Sequence, residues 1–152
     1  MENHTYIGID PGRTGAIAVL NASPCDELLV LDMPYLGDEP DVRTIHGLIS
    51  CYCDAFVAIE RQQAMPQQGV TSTFTTGKGF GMLLAAIYIA NAKVLVPRPT
   101  EWKKDMGIPP KSDKDYSRML AKRLFPTAEL QRAKDHGRAE ALLLAEWCRR
   151  QV

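Results

Sequence analysis

The chain lacks several things that would place it quickly. No long uncharged apolar run is present, so a membrane-spanning helix is not expected. The start, "MENHTYIG", has neither the basic nor the apolar region of a secretory leader. We therefore expect a protein of the cytoplasm of whatever cell makes it. Cysteine is scarce, with only Cys25, Cys51, Cys53 and Cys148. "CYC" has the wrong spacing for a zinc knuckle and no second pair follows, so reduced thiols on strands and helix faces are expected. There is no internal repeat and no low-complexity tract. Net charge is absent too: 18 Lys+Arg balance 18 Asp+Glu.

That neutrality conceals an uneven distribution. Met1 to Glu60 holds 2 Lys+Arg against 10 Asp+Glu, and Arg61 to Arg123 holds 11 against 4. An acidic first part and a basic middle suit a nuclease, with metal on the first and phosphates on the second. With 152 residues, 45% hydrophobic and 24% charged, the composition fits one compact domain over residues 1–152.

Apolar patterning gives the element order. "TYIGID" and "TGAIAVL" read as strands around the turn "PGR", and "DELLVLDMP", after "NASPC", as a third. Together they predict an antiparallel meander. "DVRTIHGLISCYC" has helical spacing at Val42, Ile45, Leu48 and Ile49, with Asp41 as its N-cap. "AFVAIE" is a short buried strand that ends in Glu60. "RQQAMPQQGV" reads as a loop. The next segment starts polar and Gly-rich, so its buried helix is expected only from about Phe80. "KVLVP" is a strand, "TEWKKDMG" a short helix capped by Thr100, and a helix runs from about Asp113 to Leu124. The last helix presents Leu142, Leu143 and Trp147 on its apolar face. The expected fold is mixed α/β, with a sheet and helices in layers.

Two carboxylates stand out because they close strands that should be neighbours. Asp10 ends the first strand and Glu60 the fourth. A carboxylate at a buried strand end costs desolvation unless it has a partner. Two of them repel unless a cation lies between. A third acid from the last helix completes an oxygen-rich site suited to Mg²⁺ or Mn²⁺. Two such ions can serve phosphodiester hydrolysis. Glu140, in "KDHGRAEALLLAEW", lies inside an otherwise apolar face. His136 precedes it by four residues and can share that face. Asp135 is five residues before it, and is either a ligand or the helix N-cap. His136 is either a ligand or an exposed first-turn residue.

"YIGIDPGRTGAIAV", "FVAIERQQAMP", "VPRPTEWKKDMGIPPKSDKDYSRMLAKRLFP" and "KDHGRAEALLLAEW" together resemble the RuvC-like Holliday junction resolvases, especially compact phage and prophage versions. The likeness runs along nearly the whole chain. It implies a ribonuclease H-like fold, with a mixed sheet of about five strands flanked by helices. It also implies a homodimer and Mg²⁺-dependent, paired symmetric cutting of four-way junctions or other branched DNA, with a helicase partner possible but not required. By the same resemblance Asp10, Glu60 and Glu140 are catalytic metal ligands. The fourth is His136, at a four-residue offset, or Asp135, one residue further away. Lysines near the scissile phosphate match Lys103 or Lys104 and Lys114, and Lys114 is counted with the catalytic residues.

Candidate nucleic-acid contacts are Arg13, Arg61, Met65, Phe74, Lys78, Lys103, Lys104 and Lys111. Relatives often carry an aromatic wedge just past the glutamate. Here the loop has none, so Met65 is the wedge candidate and Phe74 the first aromatic. Lys78, in "TTGKGFG", is expected in a Gly-rich entry whose amides can approach a phosphate. The apolar helix "GFGMLLAAIYIAN" has more hydrophobic surface than one sheet face needs, and part of it is expected at the dimer interface.

Three rivals share some of these features. "DPGRTG" fits Asp-x-Gly-x-Thr, the phosphate loop of sugar kinases and actin-like ATPases, but those need a second domain. A nuclease for structured RNA, of the ribosomal-precursor type, would use the same fold. A non-catalytic junction-binding dimer would too, although an intact acidic set argues against it.

Overall fold

A computed structural model describes residues 4–21 and 27–152, with Glu27 as backbone only. Cys25 and most of "NASPC" lie outside the described residues. The first three strands, β1 (Thr5–Asp10), β2 (Ala16–Asn21) and β3 (Glu27–Asp32), form the expected antiparallel meander. On the other side of β1 lie β6 (Phe56–Ile59) and then β7 (Lys93–Leu95), both parallel to their neighbours. The sheet order is β3-β2-β1-β6-β7. A small hairpin, β4 (Tyr35–Leu36) and β5 (Glu39–Pro40), was not anticipated from the sequence.

The pleat sorts the strands into two unlike faces. Ile7, Ile9, Ile17, Val19, Val57 and Ile59 pack against α1 (Val42–Ser50) and α2 (Val70–Ile89). The alternate positions, Ala16, Ala18 and Ala58, pack under α5 (His136–Gln151). Small residues on that face let the helix come close. A Cβ at Gly8 would stand 1.9 Å from the Ala141 carbonyl oxygen, and one at Gly137 would stand 2.3 Å from that of Thr14. Both distances are impossible for a side chain, so these two glycines set α5 against β1 and the β1–β2 turn. Two shorter helices, α3 (Pro99–Asp105) and α4 (Lys114–Leu124), cover the outer side of α5. Enclosed on both sides, α5 buries Leu142, Leu143 and Trp147 as expected, and most of its remaining positions with them.

Asp41 caps α1 as predicted, accepting from Thr44 N at 3.2 Å and Thr44 Oγ1 at 2.6 Å. Two other boundaries differ from expectation. Thr100 is not the cap of α3. That helix begins at Pro99, which needs no hydrogen-bonded N–H at this position, and Glu101 accepts from the Arg98 N–H at 3.3 Å. Helix α2 begins at Val70, ten residues before Phe80. Its polar start is held from outside, by the Lys78–Glu39 ion pair and by Gly79 against Pro40. Cys51 and Cys53 are exposed free thiols at the end of α1, and Cys148 is buried in α5. Among the described residues, no helix is long and apolar enough to cross a membrane.

Candidate active site

The β1–β6 register decides where the first two acids meet. Ile9 pairs with Ile59 in parallel, so the next residue on each strand, Asp10 and Glu60, stands side by side. The Glu60 N–H donates to the Ile9 carbonyl at 3.2 Å. By the same alternation that separates Ile9 from Ala58, both carboxylates face α5. Glu140, one turn into α5, completes the group. Carboxylate oxygens of Asp10, Glu60 and Glu140 lie within 4.8 Å of one another. Among the described residues, no other three His, Cys, Asp or Glu side chains come close enough to share a metal ion.

Two further side chains hold this cluster in place. Lys103 Nζ, from α3, donates to Glu140 Oε1 at 2.8 Å. Trp102, fully buried beside it, donates from Nε1 to Glu60 Oε2 at 2.8 Å. The electrostatics are those of an overloaded site. Burial pushes the Asp10 carboxyl well above the usual range, and the negative charges of Glu140 and Glu60 add to the rise. Burial also raises Glu60, against the opposing hydrogen bond from Trp102. For Lys103, burial alone would favour the neutral amine, but the hydrogen bond and charge of Glu140, with Glu60 and Asp10, hold its pKa above normal. Three carboxylates share one ammonium, so the donor set is short of positive charge. Hard oxygens in that state fit a divalent cation.

The other predicted ligands lie elsewhere. Asp135 is only 1% exposed and occupies the N-cap position of α5, but without a side-chain cap bond. Its oxygens take Arg132 N and Arg132 Nε, both at 2.7 Å, and Arg138 approaches at 3.8 Å. Arg132 and Arg138 also bind Asp32 of β3. These arginines use up the acid that a metal would need, so Asp135 is not part of the cluster. His136 turns Nδ1 to the Lys114 carbonyl oxygen at 3.2 Å and is likewise outside the group.

The predicted nucleic-acid contacts divide in the same way. Lys103, Lys104, Lys111 and Lys114 line one cavity beside Glu140. Arg13 is drawn into the β4–β5 hairpin, binding Asp38 at 2.7 Å and Gly37 O at 2.9 Å, with its guanidinium 4.8 Å from the Tyr35 ring centre. Lys78 is ion-paired with Glu39. It stands in the middle of α2, so the amides around it close the helix and are not offered to a phosphate. Arg61 is exposed just past Glu60, its N–H on the Pro97 carbonyl at 2.9 Å. Met65 (60% exposed) is in the following loop, and Phe74 (71%) is on the second turn of α2. Trp102 was missed by sequence reasoning. Its only signal is its place between a helix start and two lysines.

Comparison with known proteins begins with the structures. Thermus thermophilus RuvC matches over 97% of this chain and 96% of its own, with a TM-score of 0.64 and 21% identity. The fold is that of RuvC. RuvC from the same organism in complex with Holliday junction substrate matches with a TM-score of 0.61 and 20% identity, over the same shares. The yeast mitochondrial Holliday junction resolvase Ydc2 matches at 0.53 and 13%, over 95% of this chain and 77% of its own. In sequence, the chloroplastic Holliday junction resolvase MOC1 of Chlamydomonas reinhardtii is 37% identical over 79 residues. That stretch is 51% of this chain and 8% of the algal protein. No family model matches the chain. On the RuvC fold seen here, the ends of β1 and β6 and the first turns of α5 converge at one edge of the sheet, where the three carboxylates lie.

Proposed function

We propose that the chain is a divalent-metal-dependent endonuclease for branched DNA, with four-way junctions as its main substrate. The observation that carries the reading is the gathering of Asp10, Glu60 and Glu140 within 4.8 Å around a single lysine. A fold shared with a protein named as a junction resolvase and with one seen with junction substrate supports it, as does the partial sequence match to the algal resolvase. Asp10, Glu60 and Glu140 are the proposed ligands, for Mg²⁺ or Mn²⁺ and for two ions per site. The bound metal supplies Lewis acidity, which activates water and offsets charge on the leaving oxygen.

The chain's own groups do the rest. Trp102 fixes one Glu60 oxygen, so the carboxylate presents the other to the site. Lys103 is poised between Glu140 and the cavity. Lys114 lines the same cavity. Both can neutralise charge that builds on the phosphate oxygens during attack.

The reading includes a homodimer, since two symmetric cuts need two sites. The surface that suits it is the outer side of α2, where Val70 is 88%, Phe74 71% and Ile89 72% exposed. A monomer in sedimentation at micromolar concentration would count against it.

The test is a synthetic immobile four-way junction with Mg²⁺, Mn²⁺ or EDTA, comparing wild type with Asp10→Asn. Paired symmetric nicks that need metal and disappear in the variant are expected. Tight binding without cutting under any metal would point to an architectural protein. Neither binding nor cutting would turn the search to structured RNA.

A further inference from the structure

A cavity of about 770 Å³ opens beside the carboxylate cluster, between α3, the loop that follows it and the start of α4. Glu140 and Lys103 belong to both the cavity and the cluster, so whatever fills the one touches the other. Most of its lining is apolar. Pro99, Ile108, Pro109 and Pro110 form a wall with no hydrogen-bonding side chain. Four lysines stand around that wall against two carboxylates. Glu140 already pairs with Lys103, and Asp113 caps α4 by accepting from the Asp115 N–H. Among the described residues, Lys104, Lys111 and Lys114 have no ion-pair partner. Lys111 is held at φ 59°, a left-handed conformation that L residues rarely adopt.

This pairing of features is informative. Lysines that only tracked the phosphates of a duplex would need no apolar hollow behind them. A duplex keeps its bases stacked inside and its phosphates outside, and cannot fill a concave site. An unpaired nucleotide has the matching composition, an apolar base face between two anionic phosphates. Thr100, Ser112 and Ser117 add hydroxyls within the same lining, suited to the polar edge of a base.

We propose that this cavity is a subsite for one unpaired nucleotide of the strand being cut. Its base lies on the proline and isoleucine wall, and its phosphates lie on Lys104, Lys111 and Lys114. The proposal rests on the branched-DNA reading above and adds to it a requirement that the nucleotide leave its stack. Bases beside a junction or nick are the least costly to unstack, so the cavity would favour branched over continuous duplex.

The experiment removes the base and keeps the phosphates. Fluorescence anisotropy in EDTA measures binding of wild-type protein to four-way junctions carrying one abasic nucleotide, moved stepwise across the cutting position. One position is expected to weaken binding roughly tenfold, the scale for losing one base contact. In Thr100→Trp, whose exposed side chain lines the cavity and would fill it, the same abasic junction and the intact one should bind within twofold. If every abasic junction binds wild type as tightly as the intact one, the subsite is wrong while the nuclease reading stands. If the intact junction does not bind, the nuclease reading fails first. A folded Thr100→Trp protein that keeps the tenfold gap would put the base contact outside the cavity and overturn the subsite; if that variant does not fold, Lys111→Trp, on the exposed loop of the same lining, replaces it with the same expected outcome.

Discussion

Asp10→Asn should make the metal-free protein more stable while destroying its metal site. Carboxylate oxygens of Asp10, Glu60 and Glu140 lie within 4.8 Å of one another, where two unit charges at an effective dielectric of about 20 repel by roughly 3.5 kcal/mol. Asp10 takes part in two such repulsions, and its attraction to Lys103 offsets about one. Half of the remaining repulsion, allowing for screening at this open edge, is about 2 kcal/mol. For a chain of this size that corresponds to a rise in melting temperature of roughly 4–8 °C. The sign with pH follows from the raised folded pKa of Asp10. Its stability contribution is fully present below the unfolded value near 4 and is lost as pH rises towards the folded value. The gap between variant and wild type should therefore open above about pH 4 and widen as pH rises. Thermal melts in EDTA from pH 4 to 8 measure it. Added Mg²⁺ should then stabilise wild type and leave the variant unmoved. A variant that melts at or below wild type in EDTA at neutral pH would refute the uncompensated-charge argument, and with it the main physical reason to place a metal here.

Three other substitutions separate the roles assigned to neighbouring groups. Trp102→Phe keeps most of the buried ring but removes the hydrogen bond that lowers the Glu60 pKa. Mg²⁺ affinity by calorimetry should fall roughly 10–100-fold, and the loss should deepen as pH falls and Glu60 takes up its proton earlier than in wild type; a loss that does not vary with pH would contradict the positioning role. Asp135→Asn should lower the urea midpoint, because it removes the buried carboxylate that Arg132 binds through two hydrogen bonds, and should weaken Mg²⁺ binding only slightly. A folded Asp135→Asn protein that has lost metal binding would return Asp135 to the ligand set. Gly8→Ala should destabilise by roughly 3 kcal/mol, since its methyl would collide with the backbone of α5; a melting temperature equal to wild type would show that the helix is not held as close as described.

The parts legible in the sequence are those set by short-range periodicity. Alternation in "YIGID" and "FVAIE" fixes which residues face each side, and the parallel pairing then places the two closing acids together. Glu140 was legible for a similar reason, as a charge interrupting the buried face of α5. The parts that were missed depend on partners distant in sequence. The polar start of α2 has weak helix propensity and two glycines, yet it is helical because the unanticipated β4–β5 hairpin packs against it. Lys78 thereby changes from a loop cation to the ion-pair partner of Glu39. Thr100 is a good cap by residue type, but Pro99 before it already fits the first helical position. Trp102 could be read as a core residue, but nothing local says that its N–H would meet an acid 42 residues earlier.

Asp135 shows why a ligand set is harder to read than a strand end. From the sequence, Asp135 and His136 compete for one role because both precede Glu140 by about one helical turn. The choice is made by Asp32, about 100 residues away. Hydrogen bonds from Arg138 and Arg132 lower the Asp32 pKa to about 2, which keeps it ionised and anchors both arginines at the edge of β3. Arg132, so anchored, reaches the buried Asp135 with two hydrogen bonds. The same network ties the loop before α5 to the sheet and sets where the helix starts. Glu140 then falls one turn further along, over Asp10. On this argument Asp135 shapes the metal site without touching it, through the position of the helix that carries Glu140. Breaking the Asp32 end of the network, as in Asp32→Asn, should weaken Mg²⁺ binding more than Asp135→Asn does if the arginines then swing towards the cluster. Equal, unperturbed affinity in both variants would instead mean that Gly8 and Gly137 alone fix the helix.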